Sequence, residues 1–378
     1  MSSDLPVISI SPRVRRSPFF DATRRWGFNA YTVYNHMYMP LWFESPLADY
    51  WKLVNDVTLW DVAVERQVEI SGPDALRFTQ LLTPRDLSNC AIGQCKYVLL
   101  CDERGGIVND PLLLRLDEDR FWLSIADSDV LLWARGIALN AGMDVQIHEP
   151  DVSPLQLQGP KAMEVAAALF GDDIRSLSFF RFVEATLDNI PLLISRSGWS
   201  GEFGYEIYLL DGRYGDHLWE RIMVAGKPHD IAPAAPNHIR RLEAAMLSYG
   251  ADMTMDNNPF EVGLGRLVNL EAEIDFIARD ALQQISETGP ERLLVGLVID
   301  GEPIASNDRP WPMLRDGNLA GKMTSITHSP RIGRNIGLAY LPTAEAVPGE
   351  RFDLVTPDGE RTCEIVPTPF WDLKKKRG

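Results

Sequence analysis

A strand that runs into Gly-Pro and then into a helix occurs twice in this chain, and that repetition restricts the fold more than any other feature. Val68–Glu69–Ile70 alternates as a strand, and Gly72–Pro73 turns into an apolar-periodic helix through Leu76, Leu81 and Leu82. The order returns with Leu155–Gln156–Leu157–Gln158, then Gly159–Pro160, then a helix over Ala162–Leu169 that Gly171 can end. Proline suits the first helical position, where its missing N–H would have had no partner. Two such units predict a duplicated α+β module. At 378 residues the chain exceeds one ordinary core, so two or three domains are expected.

Further strands are expected over Lys96–Leu100, Pro111–Leu116 and Phe121–Ile125. Pro236–Gly250 reads as the clearest helix, with Ile239, Leu242 and Met246 on one face. After about residue 290 the pattern changes to short strands, Leu293–Ile299, Leu314–Arg315, Ile336–Tyr340 and Arg351–Val355. Turn signals at Asp316–Gly317 and Pro357–Asp358–Gly359 separate them. The expected organisation is therefore α+β over 1–150, α+β over 151–288, and an all-β unit over 289–378.

A net charge of −16 argues against nucleic acid as a partner, because its phosphates would be repelled. The basic tail Lys374–Lys375–Lys376–Arg377 is too short to reverse this. No apolar run is long enough for a bilayer, and Arg13, Arg15 and Arg16 precede no apolar stretch of the signal-peptide kind. Cys90, Cys95, Cys101 and Cys363 form no CxxC pair and read as reduced thiols, which suits the cytoplasm.

The segment from Ser195 to Ile207 carries the chemistry. Gly198, Gly201 and Gly204 alternate with Trp199, Phe203 and Tyr205, and the run delivers Glu206 onto an alternating strand. Glycines beside rings let a backbone approach a flat ligand, and a carboxylate there can accept two N–H bonds from an amino-heterocycle. The run equally fits a glycine-containing hairpin with core aromatics. Other segments share its character: Tyr97 with Asp102 to Pro111, Ala126–Asp127–Ser128–Asp129, Arg240 to Asp252, and Asn257 to Gly265. Asp110, read alone, is a turn cap at a strand start.

Together these segments resemble the folate-dependent aminomethyltransferase family, typified by the T-protein of the glycine cleavage system. The motifs are GGIVNDP, GWSGEFGYE, RRLEAAMLSYGAD, NPFEVGLG and Asp275 to Leu282, with Ser329–Pro330 and Arg331 to Ala339 near the end. Asn109 stands where that family has the first acid of an Asp-Asp pair, and Trp199 where its loop has tyrosine. With Tyr31 to Pro40, Leu59–Trp60–Asp61–Val62 and Glu65 to Glu69, these departures are similar to the dimethylsulfoniopropionate demethylase branch.

The resemblance implies three parts around a central folate channel: a folate-binding domain, a ferredoxin-like domain and a C-terminal β-barrel. It implies tetrahydrofolate as cofactor and a small-molecule methyl donor as partner; charge, hydropathy and the cysteine pattern point to no nucleic acid, membrane or metal, and a homodimer stays open. By position, Glu206 would hold the pterin N–H groups, Tyr97 and Tyr249 would line the channel, and Asp110 would act near the reacting nitrogen. Trp199 would touch both folate and donor. Tyr31, Tyr34 and Trp60 are further aromatic faces for a sulfonium, each equally able to be a core ring. Arg241 or His36 could meet a substrate carboxylate, although a salt bridge and a structural histidine explain them as well.

Overall fold

The structure, a computed structural model, describes residues 10–371; the tail Lys374 to Arg377 lies outside them. Helix α1 (Phe20–Arg25) precedes a hairpin of β1 (Ala30–Tyr34) and β2 (Met37–Trp42), and α2 (Pro46–Asn55) leads into β3 (Val57–Asp61). The first repeated unit follows as β4 (Gln67–Ser71), α3 (Ala75–Leu82), β5 (Gln94–Tyr97), the ribbon β6 (Leu100–Cys101) and β7 (Ile107–Asn109), β8 (Leu112–Asp117), β9 (Arg120–Ser124), α4 (Val130–Ala141) and β10 (Gln146–His148). The second is β11 (Ser153–Gln158), α5 (Ala162–Phe170), β12 (Phe182–Leu187), β13 (Ile190–Ser195), β14 (Gly204–Leu209), α6 (Gly215–Gly226) and β15 (Ile231–Ala234).

The two sheets share one strand order. β4-β9-β8-β5 in the first corresponds to β11-β14-β13-β12 in the second, with antiparallel neighbours throughout. The repeated Gly-Pro has one physical cause in both places. Gly72 (φ +120°) and Gly159 (φ +128°) would each drive a Cβ into backbone, onto the Asp144 carbonyl at 2.7 Å and the Asp56 carbonyl at 2.5 Å. The prolines do not open the helices as expected. They occupy a turn closed by Ala75 N–H to Gly72 C=O (2.9 Å) and Ala162 N–H to Gly159 C=O (3.0 Å), ahead of helices that begin at those alanines.

Each sheet carries its helices on the outside. Val68, Ile70, Phe121 and Leu123 pack under α3 and α4; Leu155, Leu157, Tyr205 and Ile207 pack under α5 and α6. Each fully buried Leu, Ile or Phe in these layers is worth about 1.5–3 kcal/mol. The alternate residues point inward, where Cys95, Leu114 and Trp122 of one sheet meet Leu193 and Tyr208 of the other. The sheet edges are sewn together by Cys95 N–H to Phe180 C=O (2.8 Å) and Phe182 N–H to Gly93 C=O (3.1 Å).

The boundary expected at residue 150 cuts through the second sheet, because β3 pairs with both β11 and β15. The expected helix over 236–250 is also shorter. Helix α7 (His238–Glu243) stops because Ala245 turns left-handed at φ 52°. That turn brings Asp252 back to the Arg241 guanidinium, which it grips together with the Ser325 hydroxyl (2.7 Å from Arg241 NH2). The helix therefore ends where the chain turns back to place Asp252 on Arg241.

After α8 (Arg279–Thr288), the strands β16 (Arg292–Ile299), β17 (Trp311–Arg315), β18 (Asn318–Ser329), β19 (Arg334–Pro342), β20 (Arg351–Thr356) and β21 (Gly359–Val366) close a barrel in the order β16-β19-β18-β17-β20-β21. The long β18 and the final β21 go beyond the strands expected from sequence. Buried charges bind the barrel to the rest. Arg240 meets Glu202 (2.8 Å) and Glu243 (3.6 Å), and Arg331 of the barrel approaches the same two carboxylates at 3.6 and 3.9 Å. The loop before β14 is thus held from α7 and from the barrel.

Candidate active site

The inward faces of β11 and β14 carry Gln156, Glu206 and Tyr208, by strict alternation with the core residues on their other side. Glu206 is 4 % exposed and its oxygens are crowded with donors. Gln156 Nε2 donates to Oε1 at 3.0 Å, and the hydroxyls of Ser197 and Tyr208 (3.4 Å) donate to Oε2. Behind Ser197 runs a buried relay, Ser197 Oγ to Ser195 Oγ at 2.6 Å and Ser195 Oγ to Cys95 Sγ at 3.3 Å. Burial pushes the Glu206 carboxyl up, and these donors oppose it.

The glycines of the loop do something other than expected. A Cβ on Gly198 or Gly204 would strike the Gln158 side chain at 2.2–2.3 Å, so the backbone's close approach is to that buried amide. Gln158 in turn donates to the Ser197 and Tyr205 carbonyls and accepts from Ser200 Oγ (2.6 Å). The loop is built rigid from within, and Trp199 rides on it, half-buried. Its indole N–H donates to the Leu247 carbonyl (3.2 Å), and its backbone N–H to Gln156 Oε1 (3.3 Å).

Asp110 faces the same interior from the first sheet. The Tyr97 hydroxyl donates to its Oδ2 at 2.8 Å, while Oδ1 is buried with no partner. Burial pushes this carboxyl up to about 7, against the pull of Tyr97. Tyr249 donates to the Ile107 carbonyl (3.1 Å), and burial, then Asp110 and Asp127, hold its phenol at about 12. Tyr34 lies close by: burial, then Asp110, Glu65 and Asp127, raise its phenol well above the ordinary value. Asp110, Tyr97, Tyr249, Tyr34, Trp199 and Glu206 therefore converge.

Trp60 and Tyr31 do not join them. Trp60 is the cross-strand neighbour of Gln156 but is 1 % exposed, with its N–H spent on Thr58 Oγ1 (2.8 Å), and it packs on Leu53, Val62 and Ala234. Tyr31 stacks on Phe20 (5.3 Å between centroids) and shares a hydrogen bond with Thr23. Arg241 is consumed by Asp252 and Ser325, and His36 is an exposed turn residue beside Asp129 (3.2 Å). Neither is placed to meet a substrate carboxylate.

Two residues noted in the sequence without a contact of their own acquire one from the fold. Asn109 is fully buried; its amide donates to the Ala126 carbonyl (3.0 Å) and Ser128 Oγ (2.8 Å) and accepts from Ala126 N–H (2.9 Å). An aspartate could not make the first of these bonds. Glu65, in the turn from β3 to β4, lies 3.4 Å from the Gln156 amide that also holds Glu206. Burial, then Glu206 and Asp110, push Glu65 well above the usual carboxylate range. No Lys or Arg of the described residues pairs with Glu65, Asp110 or Glu206. A separate concavity of about 400 Å³ on the barrel, among residues 314–316 and 349–353, holds none of these groups.

The interior is thus rich in acceptors and aromatic faces, and among the described residues no Lys or Arg pairs with its acids. Such a site can hold a flat ring bearing N–H donors, and it favours a positive ligand over an anionic one.

Comparison with known proteins agrees with this architecture. The family model of the GCVT N-terminal domain matches residues 19–272, and that of the glycine cleavage T-protein C-terminal barrel domain matches residues 292–372. The chain is similar to the dimethylsulfoniopropionate demethylase DmdA of Ruegeria pomeroyi, 43 % identical over 96 % of this chain and 98 % of that one. It is 32 % identical to the aminomethyltransferase of Bacillus subtilis, over 95 % and 99 %. The crystal structure of the glycine cleavage system aminomethyltransferase T from Bartonella henselae superposes with a TM-score of 0.84 at 25 % identity, covering 94 % and 98 %. Sequence motifs, duplicated sheets and closing barrel lead to one conclusion: this chain belongs to the glycine cleavage T-protein, or aminomethyltransferase, family.

Proposed function

We propose that this protein is a tetrahydrofolate-dependent demethylase, transferring a methyl group from dimethylsulfoniopropionate to give methylmercaptopropionate and 5-methyltetrahydrofolate. The observation that carries the reading is the interior itself: Asp110 Oδ1, buried without a partner, among rings and carboxylates with which no Lys or Arg of the described residues pairs. An orphaned acceptor of this kind fits a ligand N–H, as a reduced pterin would supply. Glu206, Tyr97, Tyr249 and Asp110 would hold tetrahydrofolate, whose N5 supplies the nucleophile. The 43 % identical relative named as acting on dimethylsulfoniopropionate supports the choice of donor.

The protein's own part is alignment and exclusion of water. A sulfonium has no N–H to offer, so it is recognised by ring faces and by charge, and Trp199 and Tyr34 provide the faces. Held alignment of donor and acceptor lowers such a barrier by several kcal/mol. Asp110 orients the acceptor through its free oxygen while Tyr97 fixes the other. The partners are small molecules and the setting is cytoplasmic.

Demethylation of another O- or N-methyl donor uses the same residues. Aminomethyl transfer is the reading that Asn109 and Trp199 disfavour, and a folate-binding regulatory protein would bind the cofactor without turnover. One experiment separates them: incubate the protein with tetrahydrofolate and a panel of methyl donors, then measure 5-methyltetrahydrofolate. Product with the sulfonium supports the proposal, product only with another donor reassigns the substrate, and folate binding without any product favours the regulatory reading.

A further inference from the structure

Glu65 takes no part in the reading above, yet it faces the same interior. Its neighbours fix which of the buried acids carries a proton. Gln156 is oriented by its Oε1, which accepts the Trp199 N–H, so its amide nitrogen points its hydrogens at Glu206 (3.0 Å) and Glu65 (3.4 Å). Glu206 receives that N–H together with the hydroxyls of Ser197 and Tyr208, and the Cys95–Ser195–Ser197 relay feeds donors toward it. Reversing the relay would end it on a thiol, a weak acceptor. Glu206 is therefore the ionised member. Glu65 has only the long amide contact, with Glu206, Asp110, Tyr34 and Tyr208 as its titratable neighbours. A second anion there has nothing to neutralise it.

We propose that Glu65 is a neutral acid in the ligand-free protein and ionises when the sulfonium group of a donor enters beside it, so that donor binding is coupled to release of one proton. The inference rests on the demethylase reading and deepens it. Asp110 Oδ1, buried and unpartnered, independently marks this interior as a ligand site. The charges then balance through a turnover. On binding, the Glu65 O–H gives its proton to solvent and the carboxylate faces the sulfonium. On transfer, the C–S bond breaks with its electron pair left on sulfur, and the acceptor nitrogen gains the methyl and gives up its own proton. The sulfur is now a neutral thioether on a molecule left as a carboxylate anion, and that proton restores the Glu65 acid. The site loses its attraction for what remains of the donor, which favours release. Glu65 is in this account a specificity-determining residue, acting on charge.

The test is calorimetric titration of dimethylsulfoniopropionate into the protein at pH 8, where Asp110 is already largely ionised, in phosphate and in Tris, whose ionisation heats differ. It is repeated with the protein saturated in 5-methyltetrahydrofolate, which cannot accept a methyl. The difference between buffers counts protons, and about one released proton per donor is expected. Glu65→Gln should bind with no proton exchange, and Asp110→Asn should keep the release. Binding by the wild type with no difference between buffers overturns the inference without using any variant. Release persisting in Glu65→Gln, or vanishing in Asp110→Asn, overturns it as well. No binding and no methylated folate removes the demethylase reading and this inference with it.

Discussion

Replacing Asp110 by Asn should stabilise the protein while lowering turnover, and the size of the effect follows from the site. Burial lifts the Asp110 carboxyl from 3.8 to about 7 in the folded chain. Roughly three pKa units at about 1.4 kcal/mol each set an upper figure of about 4 kcal/mol for keeping it ionised. Because the residue keeps part of its surface open to the interior, about 2–4 kcal/mol is the working range. The sign follows from proton binding: the folded state holds the Asp110 proton more tightly than the unfolded chain. The destabilisation is therefore absent below about pH 4, grows through the window up to about 7, and is complete above it. Asn keeps an acceptor for Tyr97 and never ionises. Its melting temperature should exceed that of the wild type by roughly 4–8 °C at pH 8, taking about 2 °C per kcal/mol. At pH 4.5 the gain should fall below about 2 °C. Differential scanning calorimetry at the two pH values checks this. An equal gain at both, or a loss at pH 8, would refute the idea that a buried carboxylate is held there at a cost.

Other substitutions probe the same structure. Glu206→Gln sets an amide N–H₂ against the Gln156 amide or the Ser197 hydroxyl, and tetrahydrofolate affinity, read by fluorescence titration, should fall about 10- to 100-fold. Trp199→Ala should raise KM for the sulfonium more than it changes folate affinity, by about tenfold for a lost cation–π face, and steady-state kinetics will show the split. Asn109→Asp sets a carboxylate against the Ala126 carbonyl and should cost about 1–3 kcal/mol in chemical denaturation. Gly204→Ala places a Cβ 2.3 Å from the Gln158 side chain and should cost about 1–3 kcal/mol while loosening the Trp199 loop, seen as faster amide exchange there.

What could be foreseen from the sequence follows a physical line. The duplicated unit was legible because Gly72 and Gly159 answer a local demand, a positive φ against neighbouring backbone, that leaves its mark beside a proline. The barrel's turns were legible for the same reason, with Asp316 (φ 51°) and Gly317 (φ 77°) in the left-handed region. The partners of Arg241 were not, since Asp252 and Ser325 reach it only through tertiary folding and end the helix early. Aromatic residues announce their type but not the direction they face, so Tyr34 and Trp199 lie near the inward-facing acids and Gln156 while Tyr31 and Trp60 fall in packing clusters. Glu65 stood only within the segment Glu65 to Glu69 that carries the resemblance, with no role of its own. It becomes visible only when the turn from β3 to β4 is set beside β11 and β14, where one glutamine amide spans two carboxylates.

The central claim is that a methyl group leaves a sulfonium for tetrahydrofolate in this site, and isotope tracing tests it most directly. Purified protein, tetrahydrofolate and dimethylsulfoniopropionate labelled with ¹³C in its S-methyl groups can be followed by NMR. The account predicts that the sulfonium methyl signal decays as an N5-methyl folate signal of equal intensity grows, alongside the thioether. Label that stays on sulfur, or that leaves it without appearing on folate, would contradict the account.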